Sequence, residues 1–436
     1  MQIMKAHLIG IGGIGVSALA QYLYAHGYSI TGSNQSRNAQ TDLVQEKTKA
    51  SIYFHHATEN IDPDTDLVIY SPAVPYDNPE RACARENAIP EYSYPEYLGK
   101  ISQEKQTIAI AGTNGKTTTT AMLGTVADGA LLDPTIIVGG IMPRFESNCR
   151  IGESNLFIVE ACEYKDSFLS IMPDILVITN ITPDHLDYFK TEANYVSAFM
   201  QFVKNIKPGG SLILDTANLS MQEIILVAKE HNITVMDYGQ YSHDSWNLTL
   251  PGEHNIANAS AAMAAAVLLG IPPTVIKDTL ENEFLTPKRR FELIGMTEDG
   301  AVVYDDYAHN PEGLELLIDG VRRSYPDKQI VLVFSPHLYS RTQELFDGFT
   351  RELSRVDHLY LLPIYPARER AEDFQVTSQS LADAIDRLQN KPKMVRVTSS
   401  VDDCIYRIND ADYDGDCIIL TVGAGHTDMV ARGLAQ

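Results

Sequence analysis

Thr107-Ile-Ala-Ile-Ala-Gly112-Thr-Asn-Gly115-Lys116-Thr-Thr-Thr-Thr120 is the stretch that decides the fold. Thr107 to Ala111 are rich in β-formers and read as a short buried strand. Gly112-Thr113-Asn114-Gly115 breaks that strand, and Lys116-Thr117 opens a helix that begins with Thr118 and its neighbours. Strand, glycine turn, Lys-Thr and helix is the order of a phosphate-binding loop. Glycines let backbone N–H groups close on phosphate oxygens, and the helix N-terminus adds positive partial charge. Lysine supplies a point charge, and a threonine hydroxyl can ligate Mg²⁺. The spacing departs from G-x-x-x-x-G-K-[ST], because Ile110 stands five before Gly115 and the first glycine, Gly112, comes late. The plain alternative is a tight glycine turn, so the rest of the chain has to decide.

A chain of 436 residues has room for three domains at about 150 residues each. With 44% apolar and 21% charged residues, it has the composition of a globular protein. The net charge of −23, without a basic block, argues against nucleic acid as a partner. An acidic chain that takes a phosphate-rich ligand must hold it through local features: backbone amides, a few Arg or Lys, and a divalent cation. The densest apolar run, Ala259 to Ile271, is too short to span a bilayer, so no membrane partner is expected. The five cysteines (83, 149, 162, 404, 417) form no C-x-x-C pair. No signal-peptide pattern precedes the first strand, and a cytoplasmic location is expected.

The chain opens with Lys5-Ala-His-Leu-Ile9, then Gly10-Ile-Gly12-Gly13-Ile14-Gly15, then an apolar-periodic helix to Ala25. G-x-G-x-x-G between strand and helix is a Rossmann-type opening. An NAD oxidoreductase is the obvious reading, but Ser33 and Asn34 stand where an acid should grip the ribose. The same loop can take the diphosphate of a nucleotide-sugar. Strands Ser51–Phe54 and Leu67–Tyr70 follow, the second leading to Ser71 at a strand C-terminus, where open α/β sheets bind ligands. His56 is a ligand contact or a surface histidine. The Pro- and Tyr-rich run from Ile89 to Tyr97 reads as a linker.

In the centre, Leu156-Phe-Ile-Val159 is a buried strand that delivers Glu160, placed to be a metal ligand or a solvated loop acid. Ile175 to Thr179 delivers Asn180-Ile-Thr-Pro-Asp184-His185-Leu-Asp187, where several metal or phosphate contacts converge. Asn255 and Asn258, three apart before an alanine-rich helix, share one face. They are adenine contacts or helix caps. Beyond them come Arg289-Arg290-Phe291, then Asp305-Asp306-Tyr-Ala-His309-Asn-Pro311, and Pro336-His337-Leu-Tyr-Ser-Arg341-Thr342. The first is a basic cluster at a domain junction, and the other two follow strands in a third alternating α/β region. The expected fold is three open α/β domains: Rossmann-like (1–100), P-loop ATPase-like (101–287) and Rossmann-like (288–436).

Together these motifs resemble the Mur ligases, three-domain ATP-dependent amide-forming enzymes of cell-wall synthesis, over essentially the whole chain. Within that family, Gly10–Gly15, Ser71 to Glu80 and Pro336 to Thr342 look most like the members that join L-alanine to UDP-N-acetylmuramate. The resemblance implies ATP and Mg²⁺ as cofactors, with Lys116 on the β/γ-phosphates. Thr117 and Glu160 would ligate one Mg²⁺, and His185 a second. Asn255, Asn258, Arg290, Asp306 and His309 would hold ATP. Gly12, Gly13, Ile14, Gly15, Ser33, His56 and Ser71 would hold the UDP-sugar, and His337 and Arg341 the alanine. The chain departs from the family at Asn34 (usually Asp), Asn114 (often His), Cys162 (commonly acidic) and Leu338 (commonly Arg). A sibling ligase for another amino acid or a recycled peptide, a non-catalytic nucleotide-binding scaffold and the NAD enzyme remain the rival readings.

Overall fold

The computed structural model of the chain describes residues 3–242, 246–367, 369–411 and 413–435; the side chain of Asp187 also lies outside the description. The chain divides into two compact units, Met1–Asn247 with Ile256–Leu285, and Leu248–Asn255 with Thr286–Gln436.

The first unit contains two sheets. One comprises β1 (Lys5–Ile9), β2 (Ser29–Ser33), β3 (Ser51–Tyr53), β4 (Leu67–Tyr70) and β5 (Glu91–Ser93), all parallel in the order β3-β2-β1-β4-β5. The order reverses between β1 and β4, and that reversal opens a crevice beyond their C-terminal ends. The glycine loop leaves β1 and Ser71 leaves β4, so both flank the crevice. Here the expectation for Ile89–Tyr97 is corrected. It is β5 followed by the helix Tyr94–Glu104, whose capping box pairs Ser93 with Glu96. Pro95 falls in the first helical turn, where a missing N–H costs nothing.

The other sheet of this unit has seven strands: β6 (Gln106–Ala111), β7 (Thr135–Met142), β8 (Ser147–Arg150), β9 (Leu156–Glu160), β10 (Ile175–Ile178), β11 (Ser211–Leu214) and β12 (Thr234–Asp237). Their order is β12-β11-β10-β6-β9-β7-β8, and only β7/β8 is antiparallel. Ile108–Ala111, Leu156–Val159 and Ile175–Ile178 are buried throughout. That is why these strands read as continuous apolar runs, as parallel strands covered on both faces do. β10, β6 and β9 are neighbours. The phosphate-loop segment, Glu160 and the Asn180 loop therefore leave the same edge of the sheet side by side.

The second unit holds β13 (Glu292–Met296), β14 (Val302–Asp306), β15 (Gln329–Ser335), β16 (His358–Leu361), β17 (Met394–Val397) and β18 (Cys417–Gly423). The order is β13-β14-β18-β15-β16-β17, with only the edge strand β13 antiparallel. The helices Val401–Asn409 and Thr427–Leu434 bury Cys404, Ile408, Val430 and Ala431 against Val303, Val331, Val333 and Ile419 on one face.

Candidate active site

The loop between β6 and the helix Lys116–Gly129 is fixed by the adjacent strand ends. Thr113 N–H donates to Asn180 O (3.0 Å) and Asn114 N–H to Asn180 Oδ1 (3.0 Å), while Asn114 O accepts from Thr179 Oγ1 (2.6 Å) and Asn180 Nδ2 (2.9 Å). Two glycines are obligatory. Gly115 has φ +83°, and a Cβ there would meet Asn258 Oδ1 at 2.2 Å; one on Gly112, at φ +132°, would meet Thr179 Oγ1 at 2.1 Å. Asn258 therefore lies on the loop, and its Oδ1 also accepts from Thr119 Oγ1 (3.3 Å). Thr118 is buried in the first helical turn.

Lys116 curls back into this loop. Its Nζ donates to Gly112 O, to Thr113 O (2.9 Å) and to Glu163 Oε1 (3.0 Å), with Glu163 Oε2 at 2.9 Å. Burial works to lower the Lys116 pKa, but the Glu163 carboxylate outweighs it and holds the ammonium above its ordinary value. Glu163 is itself buried and receives the buried Tyr195 hydroxyl at 3.5 Å; that hydroxyl also lies 2.8 Å from Thr113 Oγ1.

Thr117 Oγ1 donates to Glu160 Oε1 (3.0 Å), and Glu160 Oε2 accepts from Gly139 N–H (2.6 Å). A hydroxyl and a carboxylate at a helix N-terminus are hard oxygen donors of the kind Mg²⁺ takes, one or two from protein and the rest from phosphate and water. The two residues fit that ion. Among the described residues no three His, Cys, Asp or Glu side chains form a protein-only metal cage. His185 sits on the loop after β10 at φ +54°, with its N–H on Asp184 Oδ1 (2.7 Å) and its ring 4.7 Å from the Tyr164 ring.

At the first sheet, Gly10 and Ile11 N–H donate to Ser33 O (2.8 and 3.1 Å), and Gly12 N–H donates to Asn34 Oδ1 (3.3 Å). Gly13 caps the helix Ile14–Ala25, and Ser71 lies against Gly10. The expectation that Ser33 touches the sugar is corrected. Its hydroxyl is fully buried and donates to the buried Glu80 carboxylate (2.5 Å), which also engages Asn60 Nδ2 (2.6 Å) and His56 Nδ1 (3.2 Å), with His7 Nε2 at 3.7 Å. Burial pushes the Glu80 carboxyl up, but the nearby His7 ring and the hydrogen bonds from Ser33 and Asn60 bring it down to about 2. Ser33 thus shapes the glycine loop from below, and His56 keeps one partly open face. A bridge from the neighbouring sheet supports the same loop. Asn148 Nδ2 donates to Ile14 O and to Ser17 Oγ (3.1 Å), and Gln21 Nε2 donates to Asn148 Oδ1 (3.1 Å). Gly15 packs against Tyr94.

In the second unit, Asn255 Nδ2 donates to Pro251 O (2.7 Å) in the first turn of the helix Glu253–Leu268, so it is a helical residue there and not an N-cap. Asp306 accepts from Phe291 N–H (2.7 Å) and Ala308 N–H (2.8 Å), which fixes both flanking loops; Arg290 lies 5.4 Å from the Tyr307 ring. Arg289 turns inward. It donates to Asp305 Oδ2 (3.0 Å), Gly423 O (2.6 Å), Gly425 O (3.2 Å) and Thr427 Oγ1 (2.7 Å). Burial outweighs the Arg289 charge and pushes the Asp305 carboxyl up to about 6. His309 and His337, 28 positions apart in sequence, meet edge to face at 6.1 Å, and His337 stacks on Tyr365 at 5.9 Å. Burial, then Arg341, lowers His337 to about 4, so its imidazole is neutral at pH 7. Arg341 lies in the helix Tyr339–Glu344, whose N-terminal amides at Tyr339 and Ser340 are capped by Glu369 (2.6 and 3.1 Å).

A half-buried lysine on a glycine loop and a Thr–Glu oxygen pair beside it are the parts that phosphoryl transfer needs. Three family signatures match in series: the Mur ligase family, catalytic domain (residues 5–106), the Mur ligase middle domain (110–249) and the Mur ligase, glutamate ligase domain (289–425). The UDP-N-acetylmuramate–L-alanine ligase of Clostridium kluyveri is 38% identical, with 98% of this chain and 97% of the relative covered. The chain belongs to the Mur ligase family. This Mur ligase also superposes on the UDP-N-acetylmuramate–alanine ligase of Thermotoga maritima with TM-score 0.81 and 27% identity, over 98% and 97% of the two chains. It shares its fold with a murein peptide ligase of Psychrobacter arcticus (TM-score 0.69, 23% identity, 99% and 98% covered).

Sequence reasoning about this Mur ligase passed over Glu163, Tyr195, Glu80, Asn148, Tyr365 and Glu369. Glu163 stands three residues after Glu160, and Glu80 closes the Ser71–Glu80 stretch two residues beyond a cap-like Asn78. The others carry no local signal, because their partners are set by packing between distant segments.

Proposed function

We propose that this Mur ligase joins L-alanine to the lactyl carboxylate of UDP-N-acetylmuramate at the expense of ATP, supplying a peptidoglycan precursor. The observation that carries the reading is the loop in which Lys116, Thr117 and Glu160 converge, within a chain related over its full length to ligases of that name. Carboxylates do not react with amines at neutral pH, because oxide is too poor a leaving group. ATP removes that obstacle: a substrate carboxylate oxygen attacks the γ-phosphorus, ADP leaves, and an acyl phosphate forms. The alanine amine then adds to the acyl carbon, loses a proton, and expels phosphate as the amide forms.

Both partners of the first step are anions, so the chain's work is neutralisation and positioning. The amides of Gly115 and the first helical turn, together with the Lys116 ammonium, receive the β- and γ-phosphates, on a loop that Asn180 holds through Thr113 and Asn114. Thr117 and Glu160 would hold a Mg²⁺ ion, and His185 a second one near the substrate carboxylate. Mg²⁺ spreads the charge on the phosphate oxygens when bound. Asn255, Asn258, Arg290, Asp306 and His309 serve the nucleotide. Gly12 to Gly15, His56 and Ser71 serve the UDP-sugar, with Ser33 beneath them. His337 and Arg341 take the alanine, Arg341 pairing with its carboxylate.

Among the described residues no helix is long and apolar enough to cross a membrane. The use of ATP and a UDP-sugar assigns the reaction to the cytoplasm. The test is mass analysis of product from UDP-N-acetylmuramate, ATP and Mg²⁺ offered L-alanine, glycine, L-serine or a cell-wall peptide. The alanine adduct is expected; product from the peptide alone transfers the assignment to a recycling ligase.

A further inference from the structure

We propose that Glu163 is a displaceable counter-ion for Lys116: it pairs with the lysine between turnovers, competes with phosphate for it, and helps expel the product nucleotide. The inference rests on the loop being the ATP site. An ammonium has three N–H bonds, and the three acceptors around Lys116 are Gly112 O, Thr113 O and the Glu163 carboxylate. All three belong to the protein, so a phosphate oxygen reaches Lys116 only by replacing one of them. The two carbonyls are part of the loop backbone, which Asn180 and Thr179 pin. Glu163 is the removable partner. It is also the one whose charge opposes a phosphate: its oxygens lie 2.9 and 3.0 Å from Nζ, so a phosphate oxygen bonded to the same nitrogen would sit only about 5 Å from a second anion. Two like charges at that range in a shielded site repel strongly.

The arrangement has a second use. Without nucleotide, an unpaired ammonium in this shielded loop would be costly and would draw the loop out of shape. Glu163 supplies the missing charge, and the Tyr195 hydroxyl, which lies within reach of both Glu163 and Thr113, ties the counter-ion to the loop it stabilises. When ADP and phosphate remain after reaction, the carboxylate reclaims the lysine. Glu163 acts through Lys116 and is a positioning residue.

The experiment is calorimetric titration of ADP, without added Mg²⁺, into the full-length wild type and Glu163→Gln. Glutamine keeps the shape and one acceptor but removes the competing charge. Binding is expected to tighten by about tenfold. A residue that merely supported the loop would weaken binding on replacement, and unchanged or weaker binding overturns the proposal. If Glu163→Gln does not fold, Glu163→Asp is the substitute. It draws the carboxylate back by one methylene and is expected to tighten binding by a smaller factor, whereas weakening overturns the proposal. A wild type that binds no ADP removes the ATP-site reading itself; a wild type that binds, with variants that bind no tighter, removes only the counter-ion role.

Discussion

Replacing Glu80 by Gln tests how the sugar-side crevice is built. The carboxylate is fully buried and takes hydrogen bonds from Ser33, Asn60 and His56, so its charge is held without solvent. Its folded pKa is brought down to about 2 from an ordinary 4.5, a difference worth about 3 kcal/mol of stability at neutral pH. The sign follows from linkage: a depressed acid contributes fully above its unfolded value, and the contribution drains away as pH falls toward the folded one. With these values, about 0.8 kcal/mol is gone by pH 4 and about 1.4 kcal/mol by pH 3.5. Urea unfolding of wild type and Glu80→Gln, followed from pH 7.5 to 3.5, should give a gap of about 3 kcal/mol that narrows by those amounts. Taking the difference removes the opposite trend from Asp305, whose carboxyl is raised to about 6 in both proteins. A gap below about 1 kcal/mol at neutral pH, or one that stays constant with pH, would refute the reasoning. Because Ser33 and His56 lose their common anchor, the variant should also show a raised KM for the UDP-sugar.

Two other substitutions probe the remaining sites. Thr117→Ala removes a hydroxyl from the oxygen pair with Glu160, and the Mg²⁺ concentration for half-maximal rate should rise by about tenfold or more; an unchanged Mg²⁺ titration would exclude Thr117 as a ligand. Arg289→Ala leaves the buried Asp305 carboxylate with the Thr421 hydroxyl but without its counter-ion, and frees the turn at Gly423 and Gly425. Thermal unfolding should show a loss of about 3 kcal/mol, with Arg289→Lys restoring less than half because lysine cannot fork; near-neutral stability in Arg289→Ala would contradict this.

The phosphate loop was legible in the sequence despite its irregular spacing, because the strand before it and the Lys-Thr after it constrain the turn from both sides. The same holds for Glu160 and the Asn180 loop, each announced by a wholly apolar strand. Ile89–Tyr97 misled because its prolines and tyrosines look like a linker. The S-x-x-E capping box at Ser93 and Glu96 and the harmless first-turn position of Pro95 were the better guides. β13 carries exposed Leu293 and Met296 on an antiparallel edge, so no alternation marks it. The family resemblance assigns Ser33 to the sugar; only the fold reveals Glu80, 47 positions away, directly behind it. Glu163 and Tyr195 converge on Thr113 and Lys116 through packing of separate segments, which composition and spacing do not encode.

The central claim is tested most directly by phosphate release from ATP and Mg²⁺ with UDP-N-acetylmuramate, with and without L-alanine, alongside Lys116→Ala. Release that requires both substrates and disappears in the variant is the predicted result. Release that ignores L-alanine, or that persists without Lys116, would contradict the account.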